Sequence, residues 1–146
     1  MATIHLSKNF TLAEMCASDT AKAKGIKNEP GMQEVVNLTA LCNNVLQPLR
    51  NWWGREVKIG SGFRCAALNK AVGGVNNSQH MKGEAADLCI EGDIYTGKRW
   101  FEWIKAHFEF DQLIWEHNAK GSYWVHVSYR ADGKNRKQVI NNLLKK

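Results

Sequence analysis

Three short stretches hold polar residues whose types suit chemistry better than solvation: Ser61-Gly62-Phe63-Arg64, Ser78-Gln79-His80-Met81-Lys82-Gly83-Glu84-Ala85-Ala86-Asp87, and Trp124-Val125-His126-Val127-Ser128. In the second, a histidine in a glycine-bearing turn precedes an aspartate by seven residues. That aspartate, Asp87, is flanked by Ala85, Ala86, Leu88, Cys89 and Ile90. A carboxylate in such surroundings is costly to bury unless it is paired or holds a metal ion. His126, inside Trp-Val-His-Val, is in the same position. Two imidazole nitrogens and one carboxylate oxygen make a three-ligand set with a fourth position open, the way catalytic zinc is commonly held. Such an ion makes a water acidic enough to attack a carbonyl at neutral pH. On the residues alone the bland alternative stays open: a histidine on an apolar strand is also a satisfied core residue, and this spacing is looser than that of H-E-x-x-H.

The elements that would position these residues can be read from periodicity. Thr11 followed by Leu-Ala-Glu predicts a short capped helix with Glu14 completing a capping box. From Pro30 to Trp53 the apolar positions Val35, Leu38, Leu41, Val45 and Leu49 recur at three- and four-residue steps, the stripe of a core-facing helix that Gly54 ends. Residues 57–63 read as a strand running into a loop, and residues 66–72 as a short helix. Ala85 to Ile90 reads as a strand apolar on both faces, hence central, closed by Gly92 and Asp93. Trp100, Ile104 and Phe108 mark a helix from about Tyr95, with Phe101 widening its apolar face. Asp111 to Glu116 and Tyr123 to Ser128 form an antiparallel hairpin, and Arg136 to Lys146 a basic helical tail. The five further tryptophans, Trp52, Trp53, Trp100, Trp103 and Trp115, are expected in the core. The pattern is α+β, a small mainly antiparallel sheet with helices packed on it.

Composition bounds the reading. The 146 residues suit one domain over 1–146, and 44% hydrophobic and 23% charged residues are those of an ordinary globular protein, not of a fibre or a disordered chain. The net charge of +6 favours an acidic partner: nucleic acid, anionic lipid or an anionic cell-wall polymer. No apolar run is long enough to span a bilayer, and the N-terminal residues do not encode a secretory signal, so cytoplasmic synthesis without membrane insertion is expected. Cys16, Cys42, Cys65 and Cys89 form no C-x-x-C pair and read as reduced thiols.

The stretch Ser61 to Leu88, together with Trp124 to Ser128, resembles the zinc-dependent D-alanyl-D-alanine carboxypeptidase family of peptidoglycan peptidases, in particular its small branch from bacteriophages and prophages. The family's Ser-x-His-x-x-Gly-x-Ala-x-Asp is met by Ser78, His80, Gly83, Ala85 and Asp87, and its later Trp-x-His by Trp124 and His126. The resemblance implies the fold shared with the hedgehog signalling domain, one zinc ion per chain held by His80, Asp87 and His126, and a peptidoglycan stem peptide as partner. Arg64 matches the family's Ser-Gly-(Tyr/Phe)-Arg, whose arginine supports substrate or the transition-state oxyanion; a purely structural Arg64 is the alternative. Ser78, Gln79 and Trp124 are expected to line the substrate cleft.

The sequence departs from better-known members at the general base, because Tyr123 stands where they carry the glutamate of Glu-x-x-His. If the hairpin pairs residues whose numbers sum to about 240, Glu116 opposes Trp124 and shares a face with His126, within reach of the site. Glu84 and a mechanism without a base are the alternatives. The expected function is hydrolysis of an amide bond in the peptide stem of peptidoglycan by a monomer that reaches the wall as a released phage lysin or as a virion component. A zinc-containing module of the same fold without turnover is the rival, and a basic nucleic-acid binder a weaker one.

Overall fold

The computed structural model describes residues 3–90 and 93–142. Strands β1 (His5–Ser7) and β2 (Phe10–Thr11) form a small antiparallel ribbon that leads into α1 (Leu12–Cys16). Thr11 caps α1 as anticipated: its Oγ1 accepts from the Glu14 N–H at 3.1 Å, and the Glu14 carboxylate accepts from the Thr11 N–H at 3.4 Å. Helix α2 (Asp19–Lys24) was not legible in the pattern.

The long apolar stripe is helical, with a defect. Helix α3 (Met32–Leu41) passes through a π-helical turn, Cys42–Leu46, into α4 (Gln47–Trp53), which ends at Gly54 with φ 75°. Pro48 has no N–H for the Asn44 carbonyl and its ring crowds that carbonyl, so the preceding turn widens and the Gln47 N–H reaches Cys42 O instead. Pro30 lies before the helix, not in it.

Strand β3 (Ile59–Ser61), helix α5 (Ala66–Ala71), a 3₁₀ turn over Gln79–Lys82 and strand β4 (Ala85–Cys89) follow, then α6 (Ile94–His107), β5 (Gln112–His117), β6 (Tyr123–Ser128) and β7 (Gln138–Asn141). The turn expected at Gly92 lies outside the described residues, while Asp93 caps α6 through a hydrogen bond from the Tyr95 N–H. The sheet order is β3-β4-β6-β5-β7, antiparallel except for β5 with β7. The expectation of an α+β fold with a mainly antiparallel sheet therefore holds, and β4 is interior as its two apolar faces require.

Alternation divides the sheet into two faces. Ala86, Leu88, Leu113, Trp115, Val125 and Val127 point to one side and pack with Leu38, Leu41, Val45 and Leu49 of the long helical segment and with Trp100, Phe101 and Ile104 of α6. Asp87, His126, Trp124, Gln112 and Glu116 point to the other. Trp100 and Trp115 are in the core as expected, and Trp52, Trp53 and Trp103 are half-buried against it. All four cysteines are free; burial pushes the Cys42 thiol up to about 12 and that of Cys16 to about 11, which leaves both inert near neutrality.

The basic tail is a correction. Residues 138–141 are not helical but form β7, parallel to β5 in the register Gln112↔Gln138 to Trp115↔Asn141; Leu143 to Lys146 lie outside the described residues. The cause is long-range. Asp111, 1% exposed, receives the Arg136 guanidinium as a fork, Nε to Oδ1 at 3.1 Å and Nη2 to Oδ2 at 2.8 Å, plus the Arg136 N–H at 3.0 Å. The Gln138 N–H then donates to Asp111 O and starts the ladder. A helical tail would leave that buried carboxylate unpaired.

Two predictions follow from this architecture. A Cβ at Gly62 would lie 2.2 Å from the Met15 carbonyl oxygen, which is backbone and cannot give way cheaply. Gly62→Ala is expected to cost about 1–3 kcal/mol, seen as a lower midpoint in thermal unfolding. Hydrogen bonds from Arg136, against the opposing pull of burial, hold the Asp111 carboxyl below the ordinary range. A depressed folded pKa gives stability that is complete above the unfolded value and lost as pH falls through the folded one. Urea unfolding should therefore show wild type ahead of Asp111→Asn near neutrality, with the gap closing as pH drops below about 4.

Candidate metal centre and cleft

Four elements bring the three motif stretches together. β4 and β6 pair so that Asp87 opposes His126, and β3 pairs with β4 so that Ser61 opposes Asp87. The 3₁₀ turn adds His80. Ser78 caps that turn, its Oγ accepting from the His80 N–H at 3.1 Å. Gly83 ends it at φ 72°, in a position where a Cβ would lie 2.5 Å from Glu34 O, so the motif's glycine is required by backbone conformation and by space together. The loop after β3 is braced against the turn: the Arg64 N–H donates to His80 O at 3.0 Å and the His80 ring Nδ1 lies 2.7 Å from Gly62 O. Asn28 holds the same loop from behind, donating to Cys16 O and Phe63 O and accepting from the Cys65 N–H.

The result is a cluster in which one ligand atom from each of His80, Asp87 and His126 lies within 4.8 Å of the others. His126 Nδ1 is 2.9 Å and His80 Nε2 is 3.4 Å from Asp87 Oδ1, and the two rings meet edge to face at 5.2 Å. The side chains are 3%, 23% and 15% exposed for His80, Asp87 and His126, so the site is nearly closed beneath and open above.

The donor set fits a cation. Gly62 O can only accept, so Nδ1 of His80 carries the proton and its Nε2 presents a lone pair towards the Asp87 carboxylate. Lone pair facing carboxylate is repulsive until a proton or a metal ion stands between them. Ligands at about 2.0–2.1 Å around tetrahedral zinc would be about 3.3–3.4 Å apart, the spacing of His80 from Asp87, while His126 stands nearer to Asp87 at 2.9 Å. Burial pushes the Asp87 carboxyl up, but the hydrogen bond from His126 leads the effects that oppose it, and the group stays ionised, well below the usual carboxylate range.

Around the cluster, Arg64 is half-buried. Its Nη2 lies 3.5 Å from Ser78 Oγ, and its Nε is buried without a partner. Burial pulls the Arg64 pKa down while the Asp87 charge opposes this. Glu116 pairs with Trp124 in the register that sums to 240, on the face of His126, and its Oε1 accepts from Asn142 Nδ2 at 2.8 Å.

A cleft of about 600 Å³ opens beside His126, lined among others by Ser78, Gln79, Lys82, Glu84, Asp111, Gln112, Arg130 and Arg136. Ser78 and Gln79 are among its lining residues. Trp124, Arg64 and Glu116 are not among its lining residues; Arg64 borders a separate cavity with Ser61 and Phe63. Asp111, Arg130 and Arg136 went unnoticed in the sequence, where nothing in their spacing ties them to the motif. Gln79 joins them to it, donating to Glu84 at 3.2 Å and to Asp111 at 3.0 Å.

Comparison with known proteins adds two findings. A family model described as Peptidase M15 matches residues 8–128. Over 88 residues the chain is 38% identical to the zinc D-Ala-D-Ala carboxypeptidase of Streptomyces albus G, a match covering 55% of this chain and 31% of that protein. The match thus spans about a third of that relative's length.

The convergence of the three side chains generates a prediction for zinc binding. Substituting His80, Asp87 or His126 by alanine should each lower zinc affinity by more than the about 10–100-fold that loss of an outer-shell partner costs. Competition titration against a chromogenic chelator, with zinc analysis of the dialysed protein, reads the loss.

Proposed function

The chain belongs to the peptidase M15 family, whose match takes in His80, Asp87 and His126, and from that premise we propose a zinc-dependent peptidase that hydrolyses an amide bond in the peptide stem of bacterial peptidoglycan. The observation that carries the reading is the convergence of those three side chains within 4.8 Å. We propose residues 1–146 as a single peptidase domain, with His80 Nε2, His126 Nδ1 and one Asp87 oxygen as the ligands. When bound there, zinc supplies Lewis-acid polarisation of the scissile carbonyl and lowers the pKa of water.

The remaining steps fall to the chain's own residues. Gly62 O fixes the His80 tautomer. Arg64, half-buried with its Nη2 beside Ser78, offers guanidinium N–H donors to the developing oxyanion. Glu116 is the general base. One pleat along the cluster's face from His126, it is held by Asn142 through Oε1, which leaves its other oxygen to take up the proton. Glu84 is the second reading for that role, because it lines the cleft beside His126.

Zymography on cell walls and muropeptide mass spectrometry test this. Glu116→Gln should lower turnover by about 10²–10⁴-fold with zinc content unchanged, and Glu84→Gln should cost far less. Equal clearing by wild type and Glu116→Gln would remove Glu116 from the mechanism. No release of any stem fragment by the zinc-loaded wild type would leave a binding module of the same fold.

A further inference from the structure

Beside His126 the cleft is lined by three cationic side chains, Lys82, Arg130 and Arg136, which the hydrolysis itself does not use. Arg136 is unlike an ordinary surface arginine. Its side chain is 56% exposed, yet it is clamped on the Asp111 side chain, which is 1% exposed, through two side-chain bonds and one backbone bond. The next residue, Lys137, adopts φ 53°, a left-handed conformation that residues other than glycine avoid, and its N–H donates to Phe110 O. Asp111 is steadied from its other side by Gln79 Nε2. The fork engages two of the five N–H donors of Arg136 and leaves three for the cleft. Arg130 is held at the rim by Asp132 at 2.6 Å and by the Asn135 side chain, and Lys82 has no carboxylate partner among the described residues.

We propose that Arg136, preset by Asp111 and flanked by Arg130 and Lys82, binds a free carboxylate of the substrate and so determines which peptides are taken. The inference rests on the peptidase reading and narrows its substrate class to acidic peptides. Gln112, beside Asp111, lies two residues along β5 from Ile114, which pairs with His126. Two strand residues span about 7 Å, so the Asp111 end of β5 lies one or two extended residues along the strands from the level of His126, within the same cleft. Either the chain-terminal carboxylate or that of an internal glutamate fits that spacing.

The test uses a synthetic stem peptide in three forms: the free acid, the C-terminal carboxamide, and the form with its internal glutamate replaced by glutamine. Steady-state hydrolysis by the zinc-loaded protein is paired with calorimetric binding of the same peptides. Wild type should favour the free acid by about tenfold to a hundredfold in KM over whichever neutral form lacks the bound carboxylate, which identifies its source. Arg136→Lys keeps a charge for Asp111 but loses the fork, and should lower the preference for the free acid by at least several fold in both KM and calorimetric affinity. If Arg136→Lys unfolds, Arg130→Gln should still weaken the preference. Equal handling of all three peptides by wild type, or an equal loss on all three in Arg136→Lys, overturns the proposal and leaves Arg136 a structural clamp. Discrimination in binding without any cleavage would uphold the carboxylate site and sink the peptidase reading instead.

Discussion

A carboxylate on an interior strand sets the terms for everything around it. Asp87 sits on β4 between two residues of the core, Ala86 and Leu88, and it stays ionised. Its charge has to be met locally, and the nearest nitrogen on one side, His80 Nε2, presents a lone pair because its other nitrogen is committed to Gly62 O. Two neutral imidazoles cannot both satisfy the same carboxylate in that arrangement. A divalent cation resolves the conflict, drawing three mutually repelling donors into one attractive set. The same conflict explains why the loop after β3 is so closely tied: were the His80 ring to turn, the proton on Nδ1 would no longer be dictated.

That requirement passes outward through backbone more than through side chains. Gly62 can offer its carbonyl to His80 only because it lacks a Cβ that would meet Met15 O, and the Phe63 N–H donates to that same Met15 oxygen at 2.7 Å. The two glycines of the motifs thus dock the N-terminal helices against the sheet at Met15 and at Glu34. Asn28 adds three bonds to the same junction. Metal affinity and the packing of α1 and α3 are therefore mechanically linked, and a substitution far from the ligands acts on them through these few close approaches.

Much of this was legible in local pattern. Strand β6 is legible to the residue because Val125 and Val127 alternate with polar neighbours, and the register taken as a condition, Glu116 opposite Trp124, is the one the hairpin adopts. Asp87 stood out because a charged residue in Ala-Ala-Asp-Leu-Cys has no local way to be solvated. What failed to show was whatever depends on distant pairing. Asp111 looked like an ordinary first residue of a strand, and Arg136 one cation among many in a basic tail; they are 25 residues apart, and only the folded sheet makes them partners. Propensity alone favoured a helix after Arg136, whereas the exposed edge of β5 together with a buried carboxylate in need of a counter-charge favoured a strand. The π turn was hidden for a related reason, since the apolar stripe continues through Pro48 without a break.

The placement of these late-found residues gives the cleft a direction. Along the strands, Glu116 lies one pleat from His126 on one side and Gln112 one pleat away on the other, each step about 7 Å. A group that moves a proton must come within about 3 Å of the reacting atoms, which demands a flexible carboxylate near the cluster. Recognition of a charge several atoms away demands the opposite, a rigid donor whose position does not depend on the substrate. Asn142 holds Glu116 by one side-chain bond, whereas Asp111 holds Arg136 by three, reinforced by a strained backbone at Lys137. The difference in restraint matches the two tasks proposed for these residues, and both restraints come from the segment around β7, which reaches the two ends of the face at once.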